Sequence, residues 1–298
     1  MHDIKMLIER LINKDPILLS GAFGTELQRR GIRTKLPLWS TEALISHPDE
    51  VRKIHQDYIK EGAEIITTNT FRTNRRTLEK VGQGEDARKL TQHAVQLAKE
   101  ARNIECPSQE VFIAGCMPPL EDCYSPDQVA TDEELRLEHE EMAKNLADAG
   151  VDLIFVETMN VFKEAKIALE AAKKTGLEVM ISFVCNEDGN LLSGESLKEV
   201  VMKLAPLNPI AVLVNCTPIP WIQAALGQLK ETTIPYGVYA NGDGQPADDL
   251  GWAFTGNMTA EKYLDHAKDW IEQGVSIVGG CCGTNPDYIR GLKIALKD

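Results

Sequence analysis

Short apolar runs alternate with amphipathic stretches from one end of the 298-residue chain to the other. Eight runs rich in Ile, Val and Leu read as buried strands: 17–20, 64–68, 111–114, 153–157, 178–183, 210–214, 235–239 and 276–279. Between them apolar residues recur every three or four positions. That spacing predicts helices over 51–61, 86–102, 133–149, 162–174, 197–204, 260–273 and 286–296. Ile4, Leu7, Ile8, Leu11 and Ile12 repeat in the same way and predict a short docking helix ahead of the first strand.

About eight strand–helix units is the number that closes a parallel barrel with its helices outside. The expected fold class is therefore α/β: one (β/α)8 TIM barrel with a short N-terminal helix, spanning 1–298 as a single domain. The rival is an open, doubly wound sheet, which would want a glycine fingerprint after its first strand. Gly21 and Gly24 follow that strand but lack the fingerprint's spacing. The longest irregular stretches, 115–131 and 241–259, both follow predicted strands and would lie at the barrel's carboxyl-end mouth.

Composition narrows the partners. The net charge of −13 argues against nucleic acid and against an anionic membrane surface. No apolar run approaches the roughly 18 residues of a membrane span. The first residues carry an acid and lack a signal-peptide core, so a cytoplasmic location is expected. Seven cysteines, an odd and mostly scattered set, read as free, metal-bound or catalytic thiols and not as a disulfide framework.

The chemistry lies just after the strands. In chain order the strand ends carry Gly21-Ala22-Phe23-Gly24-Thr25, Asn69-Thr70-Phe71-Arg72, Gly115-Cys116-Met117, Glu157-Thr158-Met159-Asn160, Asn215-Cys216-Thr217, Asn241-Gly242-Asp243 and Gly279-Gly280-Cys281-Cys282-Gly283-Thr284. In a closed barrel Cys216, Cys281 and Cys282 converge from strands that are near neighbours. Three thiolates bind zinc and leave a fourth position for a substrate. The other reading of the same spacing is small buried residues or a vicinal disulfide.

Several of these segments, together with Leu38-Trp39-Ser40 and the run from Gly62 to Phe71, resemble the zinc-dependent homocysteine S-methyltransferases. That family includes S-methylmethionine- and betaine-dependent enzymes and the homocysteine module of cobalamin-dependent methionine synthase. The resemblance implies Zn2+ held by Cys216, Cys281 and Cys282, which act as the catalytic centre, with Asn241 as a further oxygen ligand. It implies Glu157 for the homocysteine ammonium. The Gly21, Ala22, Phe23 and Gly24 amides, in a turn that opens a helix, would offer free N–H groups to the amino-acid carboxylate, or form a tight turn and nothing more. Trp39 would face a cationic donor by cation–π attraction or anchor the core. Asn69 and Thr67 would offer polar contacts at the mouth. Cys106, Cys116, Cys123 and Cys185 match no ligand position and read as ordinary thiols. His55, His93 and His266 read as helix-face residues.

A thiol of pKa near 8.5 is mostly protonated at neutral pH. Binding to zinc would deprotonate it, and the thiolate could attack a methyl group with no general base. The expected partners are homocysteine and a small methyl donor, S-methylmethionine first and S-adenosylmethionine second. Two features depart from the family pattern. Ser20 stands where relatives carry an Asp that helps bind the ammonium. Arg72, Arg75 and Arg76 follow the second strand. A cation facing the donor would repel a bare sulfonium and favour a donor that also bears an acid. The other reading has these arginines capping a helix face and pairing with acids such as Glu79 and Glu85. The alternative functions are a methyl-acceptor module for a separate donor protein, a zinc-binding barrel acting on another thiol, and a lyase or aldolase. A Schiff-base enzyme of the last kind would want a lysine at a strand end, and none is there.

Overall fold

A computed structural model of the chain describes residues 4–108, 110–247 and 251–296. In chain order the elements are α1 (Ile4–Ile12), β1 (Ile17–Leu18), α2 (Gly24–Arg29), α3 (Glu42–Ser46), α4 (Pro48–Lys60), β2 (Ile65–Thr67), α5 (Arg75–Glu79), α6 (Ala87–Glu105) and β3 (Phe112–Met117). They continue with α7 (Asp132–Ala149), β4 (Leu153–Met159), α8 (Phe162–Lys173), β5 (Val179–Phe183), α9 (Leu197–Leu204), β6 (Ala211–Asn215), α10 (Ile219–Leu229) and β7 (Tyr236–Tyr239). The last are β8 (Gln245–Ala247), β9 (Gly251–Ala253), α11 (Ala260–Glu272), β10 (Ile277–Val278) and α12 (Pro286–Ala295).

Eight strands form one parallel sheet in the order β1-β10-β7-β6-β5-β4-β3-β2. A parallel bridge between Leu19 and Ile65 joins its two ends, so the sheet closes on itself as the barrel that the run of strand–helix units predicts. Alternate strand residues face alternate sides. Ile17, Leu153, Phe155, Leu213 and Ile277 pack inside the ring, whereas Leu18, Ile154, Val156, Val214 and Val278 pack outward against the helices.

The docking helix plugs the amino end of the barrel. Leu7 and Leu11 of α1, each at most 2% exposed, belong to the inner cluster. Arg10 pairs with Glu64, at the foot of β2, and donates to Pro16 O at 2.9 Å. Every functional candidate sits at the opposite, carboxyl end.

Four details differ from the sequence pattern. β3 and β4 run on to Met117 and Met159, so Cys116 lies within a strand and not beyond it, and Glu157 is followed by two more strand residues. A register shift between Val156 and Met159, with Thr158 at φ 62°, marks a bulge there. Helix α10 has no counterpart in the periodicity, because Pro218 and Pro220 mask its start, where proline is tolerated. The stretch 241–259 contains a hairpin, β8 paired antiparallel with β9. Among the described residues, no helix is long and apolar enough to cross a membrane.

Candidate metal centre

The sulfur cluster is assembled by backbone pairing around the end of β7, which lies between β6 and β10 in the ring. Asn241 N donates to Thr217 O at 3.1 Å, which ties the loop after β7 to the Cys216 loop. On the other side Gly242 N donates to Cys282 O at 2.7 Å and Cys281 N to Ala240 O at 2.8 Å. Gly283 takes a left-handed φ of 84°, and a Cβ there would collide with the Asp243 backbone, so only glycine lets the paired cysteines turn inward. Cys216 itself is held at φ 48°, a costly conformation for a residue with a side chain.

The three Sγ atoms lie within 4.8 Å of one another, with Cys216 and Cys281 2.6 Å apart, and could hold a metal ion. All seven cysteines are free, so the vicinal disulfide is not formed. Their acidities diverge. Hydrogen bonds from Cys216 and Cys282 pull the Cys281 thiol well below its ordinary range, and the hydrogen bond to Cys281 pushes Cys216 well above it. One negative charge is thus shared among crowded sulfurs, and a cation would draw all three into the thiolate form.

The surroundings fit such a cation. Asn241 Nδ2 donates to Cys216 O at 3.0 Å, while its buried Oδ1 has no partner. An orphaned amide oxygen beside three thiols is an available fourth donor. Asn215, at the end of β6, donates to Thr158 Oγ1 at 2.7 Å and towards Cys216 Sγ at 3.5 Å. An N–H directed at a sulfur is the kind of support that orients a metal ligand.

Below the cluster, inside the ring, lies a polar layer. Ser182 Oγ accepts from Thr158 N and so donates to Tyr239 Oη at 2.7 Å, and Tyr239 donates to Glu157 Oε1 at 2.9 Å. Burial pushes the Glu157 carboxyl up to about 7, opposed by hydrogen bonds from the Cys116 thiol and from Tyr239. Glu157 is an inward residue of β4 one step above Phe155, so its carboxylate points along the barrel axis.

The other candidates fall into two groups. The first-loop residues and Trp39 lie at the mouth. Trp39 occupies the space where a Cβ on Gly24 or Gly251 would stand, wedged between the first loop and the hairpin. The Ala22 amide is already engaged with Thr284 Oγ1 at 3.2 Å, and Ala22 O accepts from Tyr58 at 2.6 Å. Other side chains are committed to holding loops. Ser20 Oγ accepts from Thr67 N at 3.3 Å. Asn69 Oδ1 accepts from Ser40 Oγ at 2.6 Å, and its Nδ2 donates to Ser40 O at 2.9 Å.

Three residues take roles that the strand-end pattern does not give them, two of them, Cys116 and Asp243, from positions inside it. Cys116 reaches Glu157 from within β3. Asp243 takes its carboxylate to Thr255, Gly256, Asn257 and Met258 and so shapes the loop after the hairpin. Tyr124, in the loop after β3, has its phenol pushed well up by packing around the ring's inner end and by the facing charges of Cys216 and Cys282, although the residue as a whole is 40% exposed. A chain scan misses these because each acts through a fold-made contact and not through a motif.

Comparison with known proteins agrees with this geometry. The family model for homocysteine S-methyltransferase matches residues 17–296. Homocysteine S-methyltransferase YbgG of Bacillus subtilis is 30% identical, over 96% of this chain and 96% of its own length. Selenocysteine methyltransferase of Astragalus bisulcatus is 29% identical, over 92% of this chain and 90% of its own length. The metallated crystal structure of the homocysteine methyltransferase MmuM from Escherichia coli superimposes with a TM-score of 0.85 at 28% identity, covering 99% of this chain and 100% of that one.

Proposed function

The chain belongs to the homocysteine S-methyltransferase family, and on that premise we propose that it transfers a methyl group from a small sulfonium donor to homocysteine, giving methionine. S-methylmethionine is the first choice of donor and S-adenosylmethionine the second. The observation that carries the reading is the meeting of Cys216, Cys281 and Cys282 from two different strand ends. The same three thiols, with the orphaned Asn241 oxygen, favour Zn2+ as the resident ion. When bound, zinc would supply a Lewis acid that keeps an arriving thiol deprotonated near neutral pH.

The chain's own residues do the rest. Glu157, ionised, holds the homocysteine ammonium, and Tyr239 and Ser182 fix the carboxylate's orientation. The turn after β1 offers backbone N–H groups to the amino-acid carboxylate, although Ala22 contributes its own only by leaving Thr284. Trp39 closes one side of the mouth, where its ring face meets a sulfonium. Transfer breaks the methyl–sulfonium bond, whose electron pair stays on the donor sulfur, while a pair from the acceptor sulfur forms the new bond. No side chain has to accept a proton during that step.

The test is direct: zinc-loaded chain, homocysteine and S-methylmethionine, with methionine measured. Turnover by the isolated chain also removes the reading as an acceptor module that needs a donor protein. No methionine with any sulfonium donor overturns the proposal. A second reading takes selenocysteine as the acceptor, and rests on the likeness to the Astragalus relative. Competition between the two acceptors decides between them.

A further inference from the structure

Three arginines follow β2, and the structure treats them differently. Arg75 pairs with Glu85 and Glu141. Arg76 pairs with Glu121, Glu134 and Glu138. Both therefore belong to a network of acids on the barrel's outer side, as charge pairing of the segment implies, with Glu85 but not Glu79 among the partners. Arg72 is only 9% exposed, yet it has no carboxylate or hydrogen-bond partner among the described residues. Its one side-chain contact of note is the ring of its neighbour Phe71, 5.4 Å from the guanidinium carbon.

No Arg72 nitrogen is both sealed from solvent and without a partner, so the guanidinium keeps solvent contact with its donors free for a ligand. Arg72 follows β2 at the carboxyl end of the barrel, the end that carries the sulfur cluster. Burial pushes the Cys123 thiol up to about 12, and Arg72 is the charge opposing that rise. Cys123 in turn lies within reach of the charges on Cys281 and Cys282. The cation thus lies at the mouth end of β2, on the same rim as the sulfur cluster.

We propose that Arg72 is the receptor for a carboxylate on the methyl donor, so that the site selects sulfonium donors that are inner salts over sulfonium donors with no acid group. The inference rests on the methyltransferase reading and deepens it. A bare sulfonium meets like charge at Arg72 and is repelled. A donor with a carboxylate a few bonds from its sulfonium pairs that acid with the guanidinium fork, and the pairing directs its methyl group towards the sulfurs. After transfer the donor sulfur is neutral and the carboxylate remains, so the Arg72 contact survives the step while the repulsion disappears. The acceptor's carboxylate is the other acid in the site. Under the methyltransferase reading it goes to the turn after β1.

The experiment compares three donors with zinc-loaded wild type, Arg72→Gln and Arg72→Lys. S-methylmethionine carries both ammonium and carboxylate, dimethylsulfonioacetate the carboxylate alone, and trimethylsulfonium neither. Loss of one charge-assisted pair corresponds to a rise in KM of about 10- to 100-fold. That rise is expected in Arg72→Gln for the two carboxylate donors, with a smaller one in Arg72→Lys. KM for trimethylsulfonium should stay level or fall, and KM for homocysteine should not move. Trimethylsulfonium turnover also shows that each variant is folded. An equal loss for all three donors overturns the proposal, as does a rise confined to homocysteine, which would give Arg72 to the acceptor. Calorimetric binding of dimethylsulfonioacetate separates the two readings. Arg72-dependent binding without turnover sinks the methyltransferase reading and spares this one, and turnover indifferent to Arg72 does the reverse.

Discussion

Cys281 is one of the three thiols that meet at the site, with its sulfur 2.6 Å from that of Cys216. Cys281→Ser replaces a soft thiolate with a hard, protonated hydroxyl. The expected outcome is loss of bound zinc, from roughly one ion per chain to near none, together with loss of methionine formation. Metal analysis of the purified variant checks it. Glu157 makes a second prediction. Its carboxyl titrates near 7 because it is buried, and only the ionised form can hold an ammonium. As pH falls below about 7 the proton returns and kcat/KM for homocysteine should drop. Glu157→Gln should raise the homocysteine KM by about 10- to 100-fold and abolish that acid limb, since an amide does not titrate. A pH–rate profile of both proteins decides it. At this scale the sequence was legible where a residue acts by its own chemistry, as the three cysteines do. It was silent where a residue acts through another, as Asn215 does towards Cys216 and Ser182 does through Tyr239.

Helix α4 carries an apolar face that predicts its burial, and on that face sits His55, 1% exposed. Its Nε2 has no partner, and the ring packs on Phe23 at 4.8 Å, behind the turn after β1. Burial lowers its pKa to about 3. An unfolded chain takes up that proton near 6.5. Between about 6.5 and 3 the unfolded state therefore binds more protons, and stability falls as pH falls. Urea titrations should show wild type losing more stability from pH 7 to pH 4.5 than His55→Leu, whose own loss reports the remaining carboxylates and histidines. A parallel loss in both proteins would place the effect elsewhere. The strands were the readable elements, because a parallel strand buried on both faces is a continuous Ile/Val/Leu run. Helix α10 and the β8–β9 hairpin were not. The first begins with prolines, and the second packs on Trp39, which is distant in sequence, while Trp252 donates to Asp243 O.

For the whole molecule, the closed sheet separates stability from chemistry. Helix α1 and the foot of the inner apolar cluster lie at one end, and the thiols, Glu157 and the loops at the other, where Tyr239 and Cys281 meet the top of that cluster. Leu11→Ala empties a site that is 1% exposed at the barrel's foot, and should cost about 2–5 kcal/mol in denaturant unfolding. Zinc content and the homocysteine KM of the folded fraction should stay unchanged. A shift in either would mean that the two ends are coupled. The eight-unit alternation made this division foreseeable, since a barrel of this kind places its reactive groups on one rim.

The plugged foot has a consequence for traffic. With Leu7 and Leu11 stoppering one end, the vessel has a single neck, through which both reactants and both products must pass. Whatever lodges deepest, against Glu157, has to come in ahead of its co-reactant and can depart only once the neck clears. Order of arrival and departure is thereby written into the container's shape, before any affinity is considered.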